Sequence, residues 1–322
     1  MPADQPPPVP FIVGGVRSGT TMFCLMLHAH PELAMGFESY FVPIMASMRD
    51  RWERPDGFHL DRYVDDLLEH PNAESFRERM DIPPDMLRER LHGVAPIAYP
   101  DAVRRVYRLY AEREGKTRYG EKTAGYTQGL PLLAELFPET HFLHIVRDGR
   151  DAATAHRDAK WGPDDLLDAG RDWAKKVTAI REFGHVVGAD RYLEVRYERL
   201  IDDTAEVLRS VCAFIELDYD ARMLDYHDEG TTALVGVRAR HATHNSANLP
   251  PTRGLRDWRR DLDARDLARL EAAIGDTLEA FAYERAITGR SPRAHIESTV
   301  NRYTHFARRI GRRFRHRRTT RK

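Results

Sequence analysis

Residues 11–31 combine an apolar strand, a glycine-containing turn and a helix, and such a segment can bind an anion. Gly14 and Gly19 stand at the two glycine positions of the pattern G-x-x-x-x-G-K-[ST], but Thr20 occupies the position at which that pattern demands lysine. A nucleoside triphosphate site needs that lysine on its β- and γ-phosphates. The turn therefore favours another phosphate or a sulfate, with Arg17 supplying positive charge. A turn whose glycines only tighten the chain is the alternative.

The backbone of the same turn supplies hydrogen-bond donors. We predict that the amide groups of Ser18, Gly19, Thr20 and Thr21 point at one place, at the positive end of the following helix. Glu38, Lys122, Arg147 and Tyr197 each follow one of the other predicted strands. In an open parallel sheet, ligands bind beyond the carboxyl ends of the strands, so these side chains are predicted to share one edge.

Strands alternate with helices along the chain, which predicts an α/β fold with a P-loop-like parallel sheet flanked by helices. The predicted strands cover residues 11–13, 33–36, 118–121, 141–146 and 192–195. The main predicted helices cover residues 86–91, 103–110, 129–136, 151–161, 165–187 and 263–282. A further helix is predicted to begin near Asp203, where Asp203 and Glu206 match a capping box.

Five motifs in order resemble the sulfotransferases that use PAPS, 3′-phosphoadenosine 5′-phosphosulfate, and in particular their bacterial and protein-tyrosine branches. The RSGTT turn resembles the family's phosphosulfate-binding loop, and FLHIVRDGRDAATAHR resembles its segment for the 3′-phosphate. The other motifs are GEKT at 120–123, VRYERL at 195–200 and GLRDW at 254–258. The resemblance implies PAPS as the sulfuryl donor, PAP as the product and no metal.

The resemblance also implies roles for the cations and for a base. Lys122 resembles the family's catalytic lysine, which with Arg17 and the loop amides stabilises the leaving phosphate. Glu38 resembles the base of the protein-tyrosine and bacterial branches, and Glu121 resembles that of the heparan branch. Neighbouring residues of a strand point to opposite faces, so a Lys122 that faces the sulfuryl group turns Glu121 away and favours Glu38. A solvated lysine and surface carboxylates are the alternatives.

The nucleotide's 3′-phosphate and adenine are assigned by the same resemblance. Arg147 ends a buried strand and carries a planar guanidinium that suits a phosphate. The family's serine eight residues later is Ala155 here. Thr154 beside it, or a residue of a loop predicted at 227–256, is the expected substitute. Tyr197 resembles the aromatic residue that meets the adenine, although an aromatic residue at a strand end is often core. Arg253 and Gly254 resemble the family's C-terminal phosphate loop.

The composition is that of a globular protein, with 42% hydrophobic and 31% charged residues among 322. Two isolated cysteines and the absence of a signal-like start predict a cytoplasmic protein. We predict a flexible proline-rich leader at 1–10, a sulfotransferase domain at 11–290 and a basic tail at 291–322. A helical insertion at about 42–116 is the predicted place for substrate specificity.

The net charge of zero hides an asymmetry between this domain and the tail. Residues 301–322 hold ten Arg and Lys and no Asp or Glu, leaving 40 basic against 50 acidic residues elsewhere. Apolar side chains recur in the tail at helical spacing, at Val300, Tyr303, Phe306, Ile310 and Phe314. This pattern predicts an amphipathic helix for an anionic membrane surface. A solvated tail, or one that folds onto the acidic body, is the alternative, and nucleic acid is the less favoured partner.

The sequence thus predicts sulfuryl transfer from PAPS to a hydroxyl acceptor such as a lipid, a glycan or a small natural product. One alternative is a P-loop phosphotransferase or NTPase in which Asp148 binds Mg²⁺. Another is a non-catalytic nucleotide-binding protein on the same fold, prompted by Ala155.

Overall fold

The computed structural model describes residues 6–70, 80–92, 98–159, 162–163, 165–227, 249–254 and 256–287. The strands are β1 (Val9–Gly14), β2 (Leu33–Phe37), β3 (Glu53–Arg54), β4 (Gly57–Phe58), β5 (Arg118–Lys122), β6 (Thr140–Val146) and β7 (Tyr192–Arg196). The first six helices are α1 (Thr20–His28), α2 (Phe41–Ala46), α3 (Leu60–Glu69), α4 (Pro84–His92), α5 (Tyr99–Arg113) and α6 (Leu130–Leu136). The others are α7 (Gly149–Arg157), α8 (Leu166–Val187), α9 (Tyr197–Asp202), α10 (Thr204–Phe214), α11 (Trp258–Asp261) and α12 (Ala264–Ala280).

Five strands form a parallel sheet in the order β2-β5-β1-β6-β7. The predicted fold class is therefore confirmed. Lys122 at the end of β5 lies in register with Ile12 of β1 on one side and Phe37 of β2 on the other. Because the strands are parallel, their carboxyl ends lie at the same edge. They lead into the loop of residues 14–19, called the anion loop for its predicted role, and into Glu38, Thr123, Arg147 and Tyr197.

Side chains of alternate strand residues pack into two hydrophobic cores, one on each face of the sheet. Phe11 and Phe142 pack in the core that the helices between β2 and β5 complete. Ile12 and Leu143 pack in the other core, with residues of α1 and α10. The alternation of strand side chains thus buries both faces, as a parallel sheet requires.

The boundaries differ from the sequence predictions at several places. The first strand begins at Val9, which pairs with Thr140, so it extends into the predicted leader. A short antiparallel hairpin of β3 and β4 lies within the predicted helical insertion, with its turn at residues 54–57. The capping box at Asp203 is wrong, because its side chain makes no cap hydrogen bond to α10. The domain division itself remains a prediction.

The chain divides into two compact units, one of residues 1–147 and 179–253, the other of residues 148–178 and 254–322. The first contains the whole parallel sheet. In the second, Arg150 is buried between two carboxylates, Asp148 at 2.7 Å and Glu271 at 2.6 Å, and lies over the ring of Trp258. None of the described helices is long and apolar enough to cross a membrane.

Candidate active site

The loop between β1 and α1 turns tightly because two glycines allow it. A Cβ at Gly14 would lie 2.7 Å from the carbonyl oxygen of Ile145, so no side chain fits there. Gly19 has φ +90° and precedes α1, and its added Cβ would lie 2.5 Å from the Tyr197 ring. The first amide groups of a helix have no intrahelical acceptor, and here no capping side chain accepts from them either. The loop can therefore present several N–H groups to an anion.

Ser18 is the buried polar residue of this loop. Its hydroxyl has no hydrogen-bond partner among the described residues, although the side chain is fully buried. Its amide donates to the carbonyl of Gly15 at 3.3 Å, so this predicted anion donor is also used within the turn. A buried hydroxyl without a partner carries a desolvation cost that an anion would relieve. The residues present therefore fit a phosphate or phosphosulfate group.

Arg147 and Tyr197 lie beside the same loop. Arg147 is 8% exposed and donates from Nη1 to the carbonyl oxygen of Arg17 at 3.3 Å. Its guanidinium lies 4.6 Å from the centre of the Tyr197 ring. Arg17 itself has φ +64°, a left-handed conformation that is uncommon for a non-glycine residue. Four predicted site residues, Arg17, Gly19, Arg147 and Tyr197, are thus brought together.

Lys122 and Glu38 form an ion pair at the neighbouring strand ends. Lys122 Nζ lies 2.9 Å from Glu38 Oε1, and the two side chains are 1% and 18% exposed. The ammonium also lies 3.7 Å from the centre of the Phe37 ring. The amide of Glu38 donates to the carbonyl oxygen of Lys122. A cation and a carboxylate are therefore held together, with the carboxylate the more exposed of the two.

Glu121 is fully buried and makes different contacts from its neighbour. Its carboxylate accepts from the amide of Ser39 at 3.3 Å, from the Ser39 hydroxyl at 3.1 Å and from the Tyr107 hydroxyl at 3.0 Å. The hydroxyl of Thr123 donates to it as well. Burial raises the pKa of this carboxyl above its ordinary value, while the hydrogen bonds oppose the shift. Glu121 and Lys122 thus engage different partners, as strand alternation predicts.

The other predicted residues make the following contacts. The Thr154 hydroxyl is buried and donates to the carbonyl of Arg150 at 2.8 Å within α7, and its phosphate contact stays a prediction. Arg253 is exposed and pairs with Asp202 at 2.5 Å. Gly254 has φ +71° and open space around its Cα. Residues 228–248, most of the loop predicted at 227–256, lie outside the described part of the chain.

The predicted magnesium ligand of the alternative NTPase function is already engaged. Both carboxylate oxygens of Asp148 accept from Arg150, at 3.0 Å and 2.7 Å. Within the described ranges, no group of three or more His, Cys, Asp or Glu side chains could hold a metal ion.

Four residues that contact Glu121 or Lys122 were not predicted from the sequence: Ser39, Tyr107, Thr123 and Phe37. Thr123 could have been found, because it lies two residues after Glu121 and therefore on the same face of the strand. Ser39 and Tyr107 are 82 and 14 residues away from Glu121 in sequence, and no local pattern links them.

Comparison with known proteins assigns the family. Residues 8–221, more than half of the chain, match the Sulfotransferase family. The chain belongs to the sulfotransferase family. This confirms the resemblance that the five motifs carry.

Curated relatives of this sulfotransferase include protein-tyrosine sulfotransferases of animals. It is 26% identical over 230 residues to protein-tyrosine sulfotransferase 2 of Gallus gallus, a match covering 69% of this chain and 54% of that protein. It is 27% identical over 236 residues to the Drosophila melanogaster protein-tyrosine sulfotransferase, covering 69% and 40%. The chain therefore spans about half the length of the curated relatives it matches.

Two solved structures share the fold. The sulfotransferase domain from the Synechococcus PCC 7002 olefin synthase has a TM-score of 0.62 and 23% identity, over 88% of this chain and 98% of that one. The sulfotransferase domain from the curacin biosynthetic pathway has a TM-score of 0.61 and 17% identity, over 87% and 99%. At these identities the likeness supports the fold.

Proposed function

We propose that the protein transfers the sulfuryl group of PAPS to a hydroxyl acceptor. One observation carries this proposal: a buried lysine, paired with the partly exposed Glu38, lies at the end of the strand next to β1. The loop that follows β1 holds a buried hydroxyl without a partner among the described residues. Lys122 is in register with Ile12, two residues before the loop begins at Gly14. Cations, amides and a carboxylate at one edge are the set that sulfuryl transfer needs.

In the proposed reaction, the acceptor oxygen attacks sulfur opposite the bridging oxygen of the phosphosulfate. A sulfur–oxygen bond forms to the acceptor, and the bond to the bridging oxygen breaks with its electron pair left on the phosphate of PAP. Glu38 takes the proton of the acceptor hydroxyl. Lys122 and the amide groups of the anion loop stabilise the negative charge that develops on the leaving phosphate.

Arg147 and Tyr197 are the proposed nucleotide contacts. The guanidinium of Arg147 lies over the Tyr197 ring and donates to the carbonyl oxygen of Arg17. A planar guanidinium held by such contacts suits bidentate binding of a phosphate. Ser18 would donate its hydroxyl to the phosphosulfate, which satisfies a group that has no partner among the described residues. Glu121 is the less suitable base, because its carboxylate is buried and accepts four hydrogen bonds.

A phenolic hydroxyl is the first acceptor to test, because two relatives are named protein-tyrosine sulfotransferases. Lipids, glycans and small natural products are the further proposed acceptors. The basic tail at 301–322 suits an anionic membrane surface and hence a lipid acceptor. These residues lie outside the described part of the chain, and the cytoplasmic location likewise stays a prediction.

Calorimetric titration with PAP and with ATP·Mg²⁺ tests the donor site. We expect PAP to bind and ATP·Mg²⁺ to bind far more weakly, and Arg147→Ala to lose PAP binding. Arg209→Ala is a matched control, since Arg209 also lies over a tyrosine ring, that of Tyr219 at 4.7 Å. Preferred binding of ATP·Mg²⁺, with Mg²⁺-dependent turnover, would contradict the proposal and support the NTPase alternative. Tight PAP binding without transfer to any acceptor would support a non-catalytic protein.

A further inference from the structure

The turn that carries Glu38 has a strained backbone. Glu38 has φ +49° and Tyr40 has φ +56°, so two non-glycine residues adopt left-handed conformations with only Ser39 between them. Each such residue costs roughly 1–3 kcal/mol and persists only where its surroundings impose the conformation. Some contact must therefore hold this turn in place.

Two neighbouring residues of β5 hold the turn from one side. The carbonyl oxygen of Lys122 accepts from the amide of Glu38. The carboxylate of Glu121 accepts from the amide of Ser39 through Oε1 and from the Ser39 hydroxyl through Oε2. Three hydrogen bonds thus tie residues 38 and 39 to the end of the strand.

The Glu121 carboxylate is itself fixed from behind. Tyr107 of α5 donates to Oε2 and Thr123 donates to Oε1. Gly36 on the adjacent strand leaves the necessary room, because a Cβ there would lie 2.5 Å from Glu121 Oε2. The carboxylate therefore has one position, with both oxygens engaged.

We propose that Glu121 is a positioning residue: by fixing Ser39 it holds the strained turn that presents Glu38 to Lys122. This inference rests on the proposed function only for its effect on turnover. Glu121 accepts hydrogen bonds from Ser39, Tyr107 and Thr123, and it acts on Glu38 through the backbone and hydroxyl of Ser39. What it supplies is acceptor geometry rather than a titratable proton.

Glutamine is therefore the conservative replacement. In Glu121→Gln the amide oxygen can accept from the Ser39 amide and from Thr123. Its NH₂ group can donate to the hydroxyls of Ser39 and Tyr107, which rotate and also accept. In Glu121→Ala both acceptors are lost. Tyr107→Phe is the matched control, because it removes one hydroxyl from the same buried network and leaves both bonds to Ser39.

The first measurement is the exchange of amide hydrogens in the peptide spanning 36–42. We expect slow exchange in the wild type, Glu121→Gln and Tyr107→Phe, and at least tenfold faster exchange in Glu121→Ala. Unchanged PAP affinity of Glu121→Ala shows that this variant is folded. Equal exchange in all four proteins overturns the inference. Exchange needs no acceptor, so this result is independent of whether the protein transfers sulfuryl groups.

The second measurement is turnover with PAPS and 4-nitrophenol. Glu121→Gln should keep kcat within about threefold of the wild type with an unchanged pH profile, because its hydrogen bonds are kept. Glu121→Ala should lose kcat on the order of 10²-fold through misplacement of Glu38. A folded Glu121→Gln that is as inactive as Glu38→Gln would show that Glu121 is itself the base and overturn the inference. No turnover by the wild type with 4-nitrophenol, a tyrosine peptide, a sterol or a glycan, with the exchange pattern as expected, would contradict the proposed function and leave the inference standing.

Discussion

Lys122 is the residue on which the proposed chemistry depends most. Its ammonium is almost fully buried and is balanced by Glu38 and by the face of Phe37. Burying an ammonium is costly unless it is paired. Such a charge is well placed to act on a developing anion, because the buried surroundings screen it less than water would.

Replacing Lys122 by alanine should reduce turnover on the order of 10²–10³-fold, the range seen when one transition-state donor is removed. PAP affinity should change far less, because Arg147 and the loop amides remain. The two measurements are kcat with PAPS as the donor and PAP affinity by calorimetric titration. Lys175→Ala, at an exposed position, is the control. An unchanged kcat in Lys122→Ala would remove the lysine from the mechanism.

Substitution of Gly19 tests whether the anion loop needs both a left-handed backbone and the absence of a side chain at this position. Gly19→Ala meets both a left-handed φ of +90° and a contact of 2.5 Å with the Tyr197 ring. Gly188 has a similar φ of +92° and open space, so Gly188→Ala measures the backbone cost alone, roughly 1–2 kcal/mol. We expect Gly19→Ala to lose more stability in urea titrations and at least tenfold in PAP affinity. Equal effects of the two substitutions would mean that the loop can move away from Tyr197.

The raised pKa of Glu121 predicts a pH dependence of stability. A carboxyl whose pKa is higher in the folded state binds more protons there, so its contribution is complete below the ordinary pKa of 4.5 and falls as pH rises through the folded pKa. Relative to Glu121→Gln, the wild type should therefore lose unfolding free energy as pH rises above 4.5. Urea titrations of both proteins at several pH values measure this difference. If the unfolding free energy of the wild type instead rises with pH relative to Glu121→Gln, the hydrogen bonds lower the pKa of Glu121 by more than burial raises it.

Helix α5 is tied to the end of the loop before β6 by an ion pair with two hydrogen bonds. Arg104 donates to both carboxylate oxygens of Glu139, at 2.6 Å and 3.0 Å. The Glu139 side chain is 5% exposed. Since α5 also supplies Tyr107 to Glu121, this anchor supports the position of the helix behind the candidate site.

Arg104→Leu should lower the free energy of unfolding by about 3 kcal/mol, because it leaves a buried carboxylate without its cation. Arg113→Leu is the control from the same helix, since its partner Asp81 is 91% exposed and such surface pairs contribute roughly 0–1 kcal/mol. Urea titration of both variants measures the difference. Equal losses would contradict the anchoring role of Arg104.

Short apolar runs, such as residues 11–13 and 141–146, allowed strands to be predicted. Their order along the chain then allowed Glu38, Lys122 and Arg147 to be assigned to one edge. The hydrogen-bond partners could not be predicted in this way. Asp203 has the right residue type and spacing for a cap, yet its side chain does not cap α10. Thr154 has a useful hydroxyl, yet donates it within its own helix. Such choices depend on three-dimensional contacts that local patterns do not contain.

At the scale of the whole molecule, charge is divided between the tail and the rest of the chain. The ten basic residues of 301–322 offset a net charge of −10 in residues 1–300. Interactions of exposed charges weaken with salt. Binding of the tail to an anionic membrane surface should therefore be salt-dependent.

A variant with these ten Arg and Lys residues changed to glutamine should lose binding to vesicles of phosphatidylcholine and phosphatidylserine, and should bind PAP as the wild type does. The wild type should bind such vesicles and be released as salt is raised. Flotation with anionic and with neutral vesicles measures this. Equal flotation of the two proteins would contradict a role for the tail in membrane binding.

The most direct measurement is transfer of the ³⁵S label from PAPS to a panel of hydroxyl acceptors, a tyrosine peptide, 4-nitrophenol, a sterol and a glycan. The wild type should label at least one acceptor. Glu38→Gln should lower that transfer by about 10²–10⁴-fold, the usual contribution of a general base, while PAP affinity is kept. Glu198→Gln, at a half-exposed glutamate, is the control. If Glu38→Gln transfers the label as fast as the wild type, Glu38 is not the general base. If the wild type binds PAP tightly but labels no acceptor, the proposed sulfuryl transfer is wrong.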